Sequence, residues 1–148
     1  MTATDGELLV RIVDGIAHVT LNRPQARNAL TFGMYEELAK LCALAGTAND
    51  ADHIKAIIIT GAGDKAFAAG TDIGQFAAFD STEDGLRYEA RVEAVISQIE
   101  SCHVPVIAAL HGAVTGGGLV IAAAAHVRIA SAAAVAGMPI ARTLGNWL

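Results

Sequence analysis

The sequence predicts an α/β fold in which strands and helices alternate in layers. Three observations carry that expectation. Hydrophobic periodicity gives the element order β-β-α-β-α-β-α-β, which signals layered α/β architecture. Two apolar runs, "IKAIIITG" (54–61) and "VPVIAAL" (104–110), are too apolar for half-exposed strands and read as buried on both faces. Of the 148 residues 53 % are hydrophobic but only 5 % aromatic, with 15 glycines, so the core is expected to rely on close backbone packing. A chain of this length suits one domain, here 1–148, and can bury a substantial core.

The elements follow in order. "LLVRIVDGIAHVTLN" alternates around Asp14-Gly15, a two-residue hairpin signal. Thr31 is placed to cap a helix in which Met34, Leu38, Leu41 and Ala45 recur at helical spacing, with Glu36 and Glu37 in its early turns. The strand at 54–61 leads into a glycine- and alanine-rich loop, "AGDKAFAAGTDIG". Ser81 or Thr82 then caps a second helix carrying Leu86, Val92, Val95, Ile96 and Ile99. After the strand at 104–110, Gly116 to Gly118 open a buried helix that runs to Ala125, and "VRIAS" (127–131) reads as another short strand. The closing "GMPIARTLGNWL" resembles the opening of a further element.

Composition excludes several function classes. The formal charge is −5 and no basic cluster occurs, which argues against nucleic acid. Cys42 and Cys102 stand in no metal-ligand or CxxC spacing and are expected to be two reduced thiols of a cytoplasmic protein, a lone disulfide being the alternative. The first residues carry no basic n-region and no unbroken apolar stretch, so no signal peptide is expected. Residues 104–125 carry no formal charge and are long enough to span a bilayer. Pro105, four glycines, Thr115 and His111 interrupt them, and a strand, a loop and a buried helix explain them better.

Two glycine clusters invite a chemical reading. "GAGDKA" (61–66) matches the dinucleotide pattern G-x-G-x-x-A, but no convincing helix follows it and Asp80 does not end a second strand. There is no GK[ST], so a P-loop is excluded. Taken together, "KAFAAGTDI" (65–73) and "PVIAALHGAVTGGG" (105–118) each follow a buried strand, and each can present a backbone N–H to one point between them. Two such donors make an oxyanion hole for a carbonyl oxygen that gains charge. Glycine fits there because a Cβ would obstruct the substrate.

"LNRPQARNAL", "AIIITGAGDKAFAAGTDI" and "PVIAALHGAVTGGG", in that order, resemble the crotonase superfamily, the enoyl-CoA hydratase/isomerase group. The resemblance covers nearly the whole chain. It implies a crotonase-like spiral of repeated ββα units and an acyl-CoA thioester as substrate, with coenzyme A arriving as part of the substrate and no permanently bound cofactor. It also implies a homotrimer or dimer of trimers acting in fatty-acid-type metabolism, in the lyase or isomerase class. By that resemblance the oxyanion donors are the N–H groups of Thr71 and Gly117. Ala26, Arg27 and Ala29, with Lys65, Ala69 and Ile73, would hold the nucleotide end of coenzyme A, and Gly70, Asp72, Gly116 and Pro139 complete the substrate-binding set. Arg23, Arg27 and Lys65 are the candidate cations for its phosphates, each alternatively a solvated surface charge. Family members continue past the position of Leu148, so C-terminal helices that close the site are expected to be missing from this stretch.

One departure matters. Hydratases of the family carry a glutamate two residues after GGG and another just after the proline of a GxP segment. Here those positions are Val120 and Ile140, at the spacing the family keeps. Hydration needs a base for water and an acid for the α-carbon, and neither aliphatic side chain supplies one. His126, His111 and Asp72 are the nearby ionisable residues, and a structural role is the better reading of each. The expected function is therefore an acyl-CoA-processing enzyme that relies on the oxyanion hole. The alternatives are a catalytically silent acyl-CoA binder and an inactive fragment.

Overall fold

The computed structural model describes residues 6–139. Strands β1 (Leu8–Val13) and β2 (Ile16–Leu21) pair antiparallel in the register Leu8↔Leu21 to Val13↔Ile16. Asp14 and Gly15 join them at φ 53° and 80°, the left-handed turn that Asp-Gly favours in a two-residue hairpin. Helix α1 (Phe32–Leu44) starts where Thr31 Oγ1 accepts the N–H of Met34. Its buried residues Met34, Tyr35, Leu38 and Cys42 recur one turn apart and make a single inward stripe.

From there the chain repeats one motion. Strand β3 (Ala56–Gly61) joins the first sheet, β4 (Ala66–Ala68) starts a second, and α2 (Thr82–Glu100) carries the chain back. The next turn consists of β5 (Val106–Leu110), β6 (Ala113–Thr115) and α3 (Gly117–Ala124). The last begins with β7 (Val127–Ala130) and β8 (Val135–Gly137). The larger sheet runs β1-β2-β3-β5-β7 and the smaller β4-β6-β8, with every pair parallel except the opening hairpin. This is the expected spiral of repeated units. Each turn sets one strand on each sheet, so the loops that follow β4 and β6 emerge side by side.

Several expectations are corrected. The smaller sheet was not anticipated, because its strands are three residues long and lie in alanine- and glycine-rich sequence. β3 alternates half-buried and buried residues and is not covered on both faces: Ile57, Ile59 and Gly61 point inward, while Ala56, Ile58 and Thr60 do not. All of β7 is exposed, since β5 is its one strand neighbour among the described residues. The glycine pattern at 61–66 leads into β4, not a helix, which removes the dinucleotide reading. Residues 104–125 form two strands and a short helix, and no described helix is long and apolar enough to cross a membrane.

The loop that leaves β2 is locked to the loop that leaves β3 by Asn28. Its side chain is fully buried; Nδ2 donates to the carbonyls of Ala62 and Ala66 at 2.9 and 2.8 Å, and Oδ1 accepts the N–H of Arg23 at 3.0 Å. Its φ of 55° suits Asn better than most residues. Gly61 makes room for this latch: a Cβ there would lie 2.3 Å from the Ala66 oxygen and 2.7 Å from Asn28 Nδ2. Asn28→Ala strands the two carbonyls and leaves an ordinary residue in left-handed backbone, so it should cost at least about 2 kcal/mol in guanidinium unfolding. Asn28→Gly relieves only the backbone and should recover about 1 kcal/mol of that loss.

Candidate active site

Thr71 forms an isolated parallel bridge with Leu30. The Leu30 N–H donates to the Gly70 carbonyl at 2.8 Å, and the Leu30 carbonyl accepts the Asp72 N–H at 2.9 Å. In a parallel bridge of this kind one residue takes both bonds from the residues flanking its partner. The N–H of Thr71 therefore points to the opposite edge, where residues 115–117 lie. There Gly116, at φ 52° and ψ −125°, precedes the first turn of α3, and the N–H of Gly117 has no carbonyl within the helix to bond. Among the described residues neither N–H has an acceptor. The two N–H groups belong to loops that pack closely together, a Cβ on Gly116 lying 3.3 Å from the Cα of Gly70.

The three glycines are held for three different reasons. Gly116 adopts a backbone conformation that side chains disfavour. A Cβ on Gly117 would lie 2.2 Å from the Tyr35 hydroxyl oxygen and 2.8 Å from Thr71 Oγ1, and one on Gly118 would lie 2.3 Å from the Ala68 carbonyl. Internal packing thus gives a reason for glycine at 117 and 118 that is independent of substrate approach.

The ionisable residues close to Thr71 in sequence and space are largely committed. Asp72 Oδ1 accepts the Gly74 N–H at 2.9 Å, and Oδ2 takes Arg23 Nη2 at 2.7 Å. The Arg23 hydrogen bond, then that of Gly74, holds the Asp72 carboxyl below its usual range. Arg23 also donates to the Ala29 carbonyl at 2.7 Å and pairs with Glu7 at 3.1 Å, which removes it from the free cations. Arg27 and Lys65 are exposed and line one cleft of about 260 Å³, with Pro24, Gln25, Gly63 and Asp64. Ala26 ends the 3-10 turn before Arg27, the Ala69 N–H bonds to the Arg27 carbonyl at 3.0 Å, and Ile73 stands 83 % exposed.

Val120 is half-buried on α3, Pro139 is exposed, and Ile140 lies outside the described residues. His126 is structural: Nδ1 accepts the Val106 N–H at 3.0 Å and Nε2 reaches the Glu100 carbonyl at 3.2 Å, tying β5 to the end of α2. His111 differs from expectation, since its buried Nε2 has no hydrogen-bond partner among the described residues. The two cysteines are free thiols, and burial, helped by Cys102 next to it, pushes the Cys42 thiol up to about 12.

Sequence reasoning missed the tyrosines. The chain has two, and both converge on Thr71: Tyr35 OH and Tyr88 OH each lie 2.9 Å from Thr71 Oγ1. Tyr35 is buried in the α1 stripe, and Tyr88 is a half-buried residue of α2 whose ring packs edge-on to Phe76 with centroids 4.8 Å apart. Helical spacing could place Tyr35 inward, but no local pattern announces a meeting of residues 35, 71 and 88.

Comparison with known proteins bears on the fold and the family. A family model described as enoyl-CoA hydratase/isomerase matches residues 11–145. The short-chain-enoyl-CoA hydratase of Clostridium acetobutylicum is 37 % identical over 124 residues, covering 84 % of this chain and 46 % of that protein. A crystal structure of an enoyl-CoA hydratase/carnithine racemase from Magnetospirillum magneticum matches with a TM-score of 0.85 and 31 % identity, over 99 % of this chain and 54 % of that one. An enoyl-CoA hydratase structure from Bacillus anthracis gives 0.82 and 29 %, over 95 % and 53 %. The chain spans about half the length of the relatives it matches. Sharing both the fold and a family model along nearly all of its sequence, the chain belongs to the enoyl-CoA hydratase/isomerase family.

Proposed function

We propose that the protein holds the thioester carbonyl of an acyl-CoA between the N–H groups of Thr71 and Gly117 and stabilises negative charge on its oxygen. The single observation behind this reading is the pair of N–H groups on neighbouring loops that have no acceptor among the described residues. Charge that develops at fixed donors in a restricted site needs no solvent reorganisation, which is why such pairs accelerate enolate-forming reactions. Arg27 and Lys65 would meet the phosphates of coenzyme A at the cleft they share, with coenzyme A arriving as part of the substrate. The same reading includes a trimer or dimer of trimers for the whole protein and a cytoplasmic location.

A specific observation favours a second reading. Val120 stands where the family resemblance places a glutamate, and the nearby Asp72 is engaged with Arg23. A family member without that base and acid would bind and polarise acyl-CoA without hydrating it.

Crotonyl-CoA should bind in calorimetry and bind more weakly as salt rises, with Arg27→Ala and Lys65→Ala each lowering affinity by roughly threefold. Absence of binding at millimolar ligand would remove the proposal. Val120→Glu combined with Ile140→Glu should raise crotonyl-CoA hydration well above either single change, because general acid and base groups contribute roughly 10²–10⁴ each. Half-burial at Val120 leaves a carboxylate access to water, so the helix is expected to tolerate it. A folded double variant that binds crotonyl-CoA and hydrates none of it would favour the binder.

A further inference from the structure

The thiols of Cys42 and Cys102 take no part in the chemistry proposed above, yet the fold brings them together. Cys42 belongs to the inward stripe of α1, and Cys102 lies just past the end of α2, where its N–H bonds to the Ile99 carbonyl at 3.3 Å. The end of α1 rests on this α2–β5 connection. A Cβ on Gly46 would lie 2.7 Å from Val104 Cγ1 and 3.2 Å from His103 Cβ. Cys42, in the last turn of α1, precedes Gly46 by one helical repeat and so faces the same side. There the two thiols stand within hydrogen-bonding reach of each other, and no disulfide joins them.

Their exposures set an order of events. Cys42 is 1 % exposed, while Cys102 is half-buried and open to solvent. Burial, helped by Cys102 beside it, raises the Cys42 thiol, so Cys42 keeps its proton and does not start a reaction. Cys102 is the thiol that a small disulfide in solution can meet. Its thiolate attacks one sulfur of glutathione disulfide, the S–S bond breaks, and one glutathione leaves as its thiolate. Cys102 then carries a mixed disulfide with the glutathione half toward solvent and Cys42 on the protein side. Cys42 loses its proton to the solvent, bonds to the Cys102 sulfur and expels the second glutathione thiolate. Two electrons pass from the protein dithiol to glutathione disulfide, which ends as two reduced glutathiones.

We propose that Cys42 and Cys102 form a redox modification site that takes a low-molecular-weight disulfide at Cys102 and closes into a reversible Cys42–Cys102 bridge in the folded protein. The bridge fastens the last turn of α1 to the end of α2. These are the helices whose earlier turns bring Tyr35 and Tyr88 to Thr71, so a bond at one end limits how far they separate at the other. The proposal is independent of the oxyanion reading.

The test incubates the folded protein with glutathione disulfide, follows its intact mass, and maps the product by peptide mass spectrometry without reduction. Wild type should lose the mass of two hydrogens and yield a cross-linked Cys42–Cys102 peptide, and dithiothreitol should restore the original mass. Cys42→Ala should stop with one glutathione on Cys102. Cys102→Ala should react roughly tenfold more slowly than wild type, because its remaining thiol is buried. The bridged protein should melt roughly 5–10 °C higher, since the bond constrains a long loop of the unfolded chain. Wild type that stays reduced, or that accumulates glutathione on Cys102 without closing, overturns the proposal. A bridge that forms in guanidinium and not in the folded protein overturns it too, as does a bridged protein that melts lower. Equal rates in Cys102→Ala and wild type would remove Cys102 as the point of entry and the proposal with it. Should either variant fail to fold, the mass of the wild-type product decides alone.

Discussion

The bridge between Leu30 and Thr71 is the interaction on which the site depends. By taking the carbonyl of Gly70 and the N–H of Asp72, Leu30 satisfies the backbone on both sides of Thr71 and leaves the N–H of Thr71 itself turned to the other edge. An unbonded N–H next to a core is normally a defect. Here it is the geometric consequence of a pairing that is itself complete. The pairing in turn needs the β2–α1 loop to stay beside the β3–β4 loop, which is what the buried Asn28 side chain and the Arg23–Asp72 pair secure. Local electrostatics and the site therefore share one support.

On the facing edge, close approach substitutes for hydrogen bonding. Gly116 would put a Cβ 3.3 Å from the Cα of Gly70, and Gly118 would drive one into the Ala68 carbonyl. The start of α3 is pressed against the strand β4 and the turn beyond it. Backbone without side chains is what fits at that separation, and packing is enough to explain the glycine run.

The legibility of the fold in the sequence follows from the range of each signal. Asp14-Gly15, Thr31 and Ser81 act on their immediate neighbours, and hairpin and caps were placed correctly from them. The strands β4, β6 and β8 exist only because distant three-residue segments line up, and alanine or glycine there carries no alternation to read. Asn28 was missed for the same reason: its partners are the Ala62 and Ala66 carbonyls, and backbone acceptors have no sequence signature. Tyr35 and Tyr88 sit on separate helices, and only the packing of α1 against α2 brings their hydroxyls to Thr71. Spacing singled out the two loops in the sequence; the side chains that meet them depend on tertiary contact.

This separation of backbone from side chain bears on how Val120 came to be tolerable. The two candidate donors belong to the main chain, and their direction is set by sheet pairing and a helix start. Val120 takes no part in either: its N–H bonds to the Gly116 carbonyl as that of any residue in the helix would, and its side chain is only half-buried. An aliphatic group in place of a carboxylate at that position leaves the bridge, the glycine contacts and the hydroxyls around Thr71 untouched.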